Sequence, residues 1–265
     1  MPQPVLVKAH ALGNDFLLIN EEDMPADRAG FARAVCERHR GIGADGLISF
    51  TRGPRSSMQL LNADGTYSEI SGNGVRCLAA WIAKRDGTRG GGAIAIDTEA
   101  GIKRLELLSI DSGRYLFRAA MGHPENVARQ VIDVGRRPIT AVTLRVGNPQ
   151  CVVLGEVSES RLHSVAAALA VHPIFPHGTN VELATVETPE RLRILIWERG
   201  VGPTEASGTG ACAAAVAAIA YGGAARDVQV VSPGGTQRVE WLDDGLYLTG
   251  WAEVVGEIRW MKNAT

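Results

Sequence analysis

The feature that most constrains this chain is a device used twice. Glu69-Ile70-Ser71-Gly72-Asn73-Gly74 and Glu205-Ala206-Ser207-Gly208-Thr209-Gly210 share a serine followed by Gly-x-Gly, and each runs into small apolar residues, Val75 to Ala83 and Ala211 to Ile219. The same offset of about 136 residues relates Gly13-Asn14 to Gly147-Asn148 and Asn62 to Glu198, within a residue or two. Self-similarity at one spacing marks an internal duplication. The 265 residues then divide into two α/β halves, the default being two domains with a cleft between them. Two polar residues at Gly-rich helix starts, facing each other across a pseudo-twofold, can present one chemical group to each face of one small substrate.

Short apolar runs bounded by Gly, Asp or Ser predict strands at Val5 to Lys8, Phe16 to Ile19, Leu47 to Phe50, Met58 to Leu61, Ala93 to Thr98, Lys103 to Ser109 and Tyr115 to Ala120. Helical spacing appears at Arg28 to His39 and Val75 to Arg85. The second half repeats the plan, with strands at Ala141 to Arg145, Gln150 to Leu154, Asn180 to Val186 and Arg191 to Trp197, and helices at Arg161 to Ala170 and Ala211 to Tyr221. Four alternating strands close the chain, at Val228 to Val231, Thr236 to Trp241, Gly245 to Gly250 and Ala252 to Arg259. Met121 to Ile139, interrupted by Gly122-His123-Pro124 and Arg136-Arg137-Pro138, is expected to be an irregular linker.

Composition narrows the function. The 27 basic and 29 acidic residues leave a net charge of −2 and no basic stripe, which argues against nucleic acid as a partner. The longest apolar run, Ala211 to Ala220, is too short to cross a bilayer, and Met1-Pro2-Gln3-Pro4-Val5 has no secretory pattern, so a soluble cytoplasmic protein is expected. Cys36, Cys77, Cys151 and Cys212 lack metal-type spacing and read as small buried hydrophobes.

Gly41-Ile42-Gly43-Ala44-Asp45-Gly46 fits the dinucleotide fingerprint G-x-G-x-x-G, but a charged segment precedes it and a strand follows, the reverse of what that fingerprint needs. Gly208-Thr209-Gly210-Ala211-Cys212-Ala213 has the helix but neither the preceding strand nor the later ribose-binding acid. What these glycines do allow is close approach of helix-start N–H groups to an anion such as a carboxylate. Asn14, Asn62, Asn148 and Asn180 sit in turn-like contexts; singly each is a turn residue, whereas four partly linked by the duplication suggest amides aimed into a polar cleft. Glu198-Arg199 at a strand end reads either as a pair holding a substrate's ammonium and carboxylate or as a solvated ion pair.

His10-Ala11-Leu12-Gly13-Asn14-Asp15-Phe16, Arg40-Gly41-Ile42-Gly43-Ala44-Asp45-Gly46, Asn62-Ala63-Asp64-Gly65, Gly72-Asn73-Gly74-Val75-Arg76-Cys77, Gly147-Asn148-Pro149, Gly178-Thr179-Asn180-Val181-Glu182 and Glu198-Arg199-Gly200 with Gly208-Thr209-Gly210-Ala211-Cys212 together resemble the diaminopimelate epimerases in order and spacing, over essentially the whole chain. The resemblance implies an α+β fold of two pseudo-symmetric domains, each a mostly antiparallel sheet curled around a central helix. The domains would be residues 1–120, completed by a C-terminal strand at about 252–265, and residues 121–251. It also implies a pyridoxal-free isomerase without cofactor or metal, interconverting LL- and meso-diaminopimelate on the path to lysine and peptidoglycan, and allows a homodimer. In that family two cysteines act as thiolate base and thiol acid on opposite faces of the α-carbon. By motif, Gly72, Asn73, Gly208 and Thr209 would hold the α-carboxylate; Asn62, Asn180 and Arg199 the distal amino-acid end; Asn14, Asn148 and Glu198 would complete the pocket.

The chain departs from that pattern where the chemistry lies. Both cysteine positions are serine, Ser71 and Ser207, and Gln150 stands where the family usually has His. A thiol can be driven to thiolate by a helix start, whereas an unassisted hydroxyl stays protonated. Three readings stay open: an epimerase inactivated by replacement of both cysteines; a divergent pyridoxal-independent racemase or hydroxyproline-type dehydratase; and a non-catalytic amino-acid-binding protein.

Overall fold

The computed structural model describes residues 3–53, 55–68, 71–99, 101–135 and 137–261. Glu69 and Ile70 of the first motif, Arg136 of the expected linker and the last four residues of the closing segment lie outside them. Two compact units emerge, Met1–Ala119 with Trp251–Thr265, and Ala120–Gly250.

In the first unit β1 (Val5–Ala11) lies antiparallel to β2 (Asn14–Asn20), which runs parallel to β3 (Gly46–Phe50). β3 is antiparallel to β4 (Ser56–Asn62), and β4 pairs with both β5 (Tyr67–Ser68) and β6 (Ala93–Thr98). Antiparallel β7 (Gly101–Asp111) and β8 (Arg114–Gly122) follow. Two helices flank this sheet. α2 (Gly72–Asp86) buries Val75, Leu78, Ala79 and Ile82 against Phe16, Ile48, Leu60, Leu105 and Phe117. The alternate residues of the same strands, Leu6, Leu17, Ile19 and Leu47, pack on Phe31 and Val35 of α1 (Arg28–Cys36) and on Trp260. Because strand side chains alternate faces, β1 to β3 are apolar on both sides only where helices cover both. α2 packs most on β1 and also on β2, β6 and β7, so the sheet curls around it.

The second unit repeats this order. β9 (Glu125–Val134), β10 (Arg137–Val146) and β11 (Asn148–Leu154) are antiparallel neighbours, and β11 is parallel to β12 (Asn180–Thr188). β13 (Arg191–Glu198) pairs with β12, with short β14 (Gly202–Thr204), and in parallel with β15 (Asp227–Ser232). β16 (Gly235–Leu242) and β17 (Gly245–Arg259) complete the run. Every parallel and antiparallel step from β1 to β7 thus has its counterpart from β10 to β16. The central helix is α5 (Gly208–Tyr221), whose alanine-rich sequence packs on Val152, Ala184, Ile194, Ile196 and Leu248. The helical stretch made of α3 (Glu159–Arg161), a π turn (Leu162–Ala166) and α4 (Ala167–Ala170) covers the opposite face.

Three expectations fail for local reasons. The helix from Arg28 ends at Cys36, not His39, because Glu37 turns extended and its carboxylate accepts from the backbone N–H groups of His39, at 2.9 Å, and Arg40. Much of the expected linker is strand, since β9 pairs with β10 along most of its length; its side chains are largely exposed, so no apolar alternation announced it. The two closing strands are one, β17, which begins in the second unit and ends in the first, where it pairs with β1 around a bulge at Lys8/Ala9.

The α2 core sets a clear expectation. Leu78 is fully buried between α2 and the sheet, so Leu78→Ala should cost about 2–5 kcal/mol in urea unfolding, whereas Val131→Ala at an exposed site should change stability by less than about 0.5 kcal/mol.

Candidate active site: two serine-capped helix starts

A helix leaves its first N–H groups without intrahelical acceptors, and serine before the first turn is a strong remedy. Both motifs use it. Ser71 lies at φ −128°, ψ 122° and its Oγ accepts from Gly74 N–H at 3.1 Å. Ser207 lies at φ −136°, ψ 129° and its Oγ accepts from Gly210 N–H at 3.2 Å, with Thr209 Oγ1 at 3.5 Å. The serine carbonyls accept from Val75 and Ala211. The N–H groups of Gly208 and Thr209 come before these bonds in the first turn, where a helix supplies no acceptor of its own and an anion suits. The partial positive charge of the helix end favours a carboxylate there.

Around the α2 start the first unit assembles an amide and ion network. The turn Leu12-Gly13 has positive φ at both residues, +56° and +86°, as a primed hairpin turn requires, and it delivers Asn14 to the beginning of β2. Asn14 Nδ2 donates to Asp45 Oδ2 at 2.7 Å, and its Oδ1 accepts from Asn73 Nδ2 at 3.0 Å. Buried Arg76 donates to Asn73 Oδ1. Arg38 bridges Asp15 and Asp45, and Lys8 reaches both Asp15 and the Gly43 carbonyl. The Gly-rich segment 41–46 is therefore a scaffold for Asn14, not a phosphate loop. Burial pushes the Asp15 carboxyl up, but hydrogen bonds and charge from Arg38 and Lys8 outweigh it and hold the group below the usual carboxylate value. Asn62 stands on β4 opposite Gly46, its Nδ2 donating to Thr66 Oγ1 at 2.9 Å.

Around the α5 start the second unit places Asn148 and Gln150 on β11, Asn180 and Glu182 on β12 and Glu198 at the end of β13. Gln150 Nε2 donates to Asn148 Oδ1 at 2.6 Å. Asn180 Oδ1 accepts from the Arg199 N–H at 2.9 Å, while Arg199 Nη1 donates to the His177 carbonyl at 2.9 Å. Of the amides, Asn14 is bonded to Asn73 of the α2 start, while Asn62, Asn148 and Asn180 are held by partners on their own strands and turns. A cavity of about 300 Å³ in this unit lies at the other end of α5, against Tyr221 and Gly222, away from these residues.

Asp15, Arg38, Asp45, Arg76 and Glu182 were not singled out from the sequence as site residues. The available signals were a charge inside an apolar helix, Arg76, and an acid inside an apolar strand, Glu182. The four cysteines are buried in the packed cores; burial pushes the Cys36 and Cys151 thiols up to about 12 and raises Cys77 further. Among the described residues no group of His, Cys, Asp or Glu is arranged to hold a metal ion, and no helix is long and apolar enough to cross a membrane.

The fold is that of racemases and epimerases of small amino acids. A probable proline racemase from Agrobacterium radiobacter K84 superposes with TM-score 0.74 at 14% identity, over 98% of this chain and 93% of that one. A hydroxyproline epimerase from Agrobacterium vitis gives 0.70 at 14%, over 98% and 91%. At such identities the likeness speaks for the fold alone. The sequence goes further: the model of the diaminopimelate epimerase family matches residues 6–127 and 142–255. The diaminopimelate epimerase of Desulforudis audaxviator is 38% identical over 96% of this chain and 98% of its own, and that of Moorella thermoacetica 39% over 92% and 94%. This chain belongs to the diaminopimelate epimerase family.

The Asp15 network carries a pH signature. A carboxylate whose folded pKa lies below its unfolded value adds stability above the unfolded value, about 3.9, and that stability is lost as pH falls through the folded value. Asp15→Asn should therefore destabilise the protein by about 2 kcal/mol at neutral pH. The gap to the parent should begin to close in denaturant titrations as pH falls below about 3.9 and vanish below the folded value.

Proposed function

We propose that this chain is an isomerase of diaminopimelate whose acid–base positions, Ser71 and Ser207, carry hydroxyls in place of thiols, so that it binds LL- and meso-diaminopimelate but turns them over slowly. The observation that carries this reading is the pair of matched serine-capped helix starts, in a chain that matches the family in both halves. On this reading Ser71 and Ser207 stand at the positions of the family's acid and base, and the reaction uses no pyridoxal or other cofactor.

The binding chemistry is intact. Helix-start N–H groups at Gly72, Asn73, Gly208 and Thr209 donate to the α-carboxylate, which also stabilises the charge that builds on it as the α-proton leaves. Asn62, Asn180 and Arg199 bind the distal amino-acid end, and Asn14, Asn148 and Glu198 close the pocket around the amino groups. The proton-transfer chemistry is not intact. A helix start lowers the pKa of a thiol into the working range, but a serine hydroxyl begins far above it and here already accepts a bond from the helix. A hydroxyl at these positions suits capping better than proton abstraction. The reaction belongs on the cytoplasmic route to lysine and peptidoglycan precursors.

A divergent dehydratase or racemase is the second reading, kept open by Gln150, whose neutral amide donates to Asn148 and cannot serve as a general acid or base. The two readings part on substrate. Calorimetry should show binding of diaminopimelate and none of hydroxyproline, with Arg199→Ala weakening it by about 2–5 kcal/mol; the opposite preference would overturn the epimerase reading.

Chemistry tests the serines directly. The double change Ser71→Cys with Ser207→Cys should bring α-deuterium incorporation from D2O into pure LL-diaminopimelate clearly above the parent, read by mass spectrometry. Either single change should do far less, because inversion needs an acid and a base on opposite faces. Tight binding with no incorporation by the double variant would leave a binding protein.

A further inference from the structure

Glu182 is fully buried, and neither of its carboxyl oxygens has a hydrogen-bond partner among the described residues. The duplication supplies its comparison. Ile48 of β3 lies between Leu18 and Leu60, as Glu182 of β12 lies between Val152 and Ile196. Both press on the glycine three residues past the capping serine. A Cβ at Gly74 would meet Ile48 Cδ1 at 2.9 Å, and a Cβ at Gly210 would meet Glu182 Oε1 at 2.5 Å and Ser207 Cβ at 3.2 Å. The Glu182 carboxyl and the Ser207 side chain therefore border one point. An isoleucine fills the same node in the other half, so packing gives no reason for an acid here.

A carboxyl with no partner is not buried ionised. Burial, and next the negative charge of Glu198, raise its pKa well above the ordinary value. The titratable group that shares its sheet face is Glu198 on β13; Cys151 on β11 feels its charge from the opposite face, and α5 carries no charged residue. Gln150 Oε1 and Thr204 Oγ1, on the same sheet face by register, are also buried without partners. This leaves an acid with an unassigned proton beneath the first turn of α5.

We propose that Glu182 is a positioning residue for position 207: a neutral carboxylic acid whose O–H donates, directly or through one enclosed water, to the residue-207 side chain when negative charge develops there. At the α2 start the corresponding node is the apolar Ile48, so the two matched faces are unequal anion stabilisers. This rests on reading position 207 as an acid–base site, but its test needs no turnover.

A thiol placed by Ser207→Cys serves as reporter, with Ser71→Cys as the matched control; the four native cysteines are buried. The rate of alkylation by iodoacetamide is followed against pH, with the modified residue identified by mass spectrometry. Adding Glu182→Leu should slow reaction at position 207 about tenfold at pH 7, as loss of a donor raises thiol pKa by about one unit. Adding Glu182→Gln, which keeps an N–H donor, should hold the rate within about threefold. Neither change should move the thiol at position 71. Equal or faster reaction with Glu182→Leu, or an equal effect at position 71, overturns the proposal. If Glu182→Leu does not fold, the Gln exchange decides: it cannot ionise, so it should outpace the parent reporter at alkaline pH, and coincident profiles overturn the coupling. Diaminopimelate binding, measured on the same variants, reports separately on the proposed function.

Discussion

Everything in this molecule depends on how a helix can begin against a curled sheet. The first turn of α2 or α5 brings backbone N–H groups and partial positive charge into a place that water reaches poorly, and each group needs an acceptor. The chain answers with a serine hydroxyl for one N–H and the serine carbonyl for the next. Glycines let the turn pass close to the sheet beneath it, and first-turn N–H groups without an intrahelical acceptor suit an anion. Stability and binding thus come from one local arrangement.

The same arrangement explains why serine is tolerated at both positions. Hydroxyl is the better cap and thiol the better acid or base. Replacing sulfur by oxygen keeps, or improves, the helix start while removing proton-transfer power. The surrounding amides and ions do not depend on the exchange: Asn14, held by Asp45 and Asn73, and Asn180, held by the Arg199 N–H, are fixed by their own partners.

The duplication is followed closely in backbone and less closely in side chains. Strand order, register and cap geometry recur, yet the node under the helix start is Ile48 in one copy and Glu182 in the other. A repeated backbone with one apolar and one acidic node is how two similar halves come to treat charge differently.

Much of this was legible in the sequence, because it rests on local chemistry. Ser-Gly-x-Gly before an apolar run specifies a capped helix start wherever it occurs, and two such runs at a fixed offset specify two related halves; the order of motifs specified the family. What escaped were features made by distant partners. β9 is a strand because β10 pairs with it, not because its exposed side chains alternate; α1 stops because the Glu37 side chain folds back on two N–H groups. Arg76 and Glu182 read as odd charges in apolar segments, and only packing against Asn73 in one case and Gly210 in the other made them parts of a site. Hydrophobic period and capping act within a few residues and can be read along the chain. Burial, and with it the protonation of a carboxyl, is set by whatever the fold brings against it.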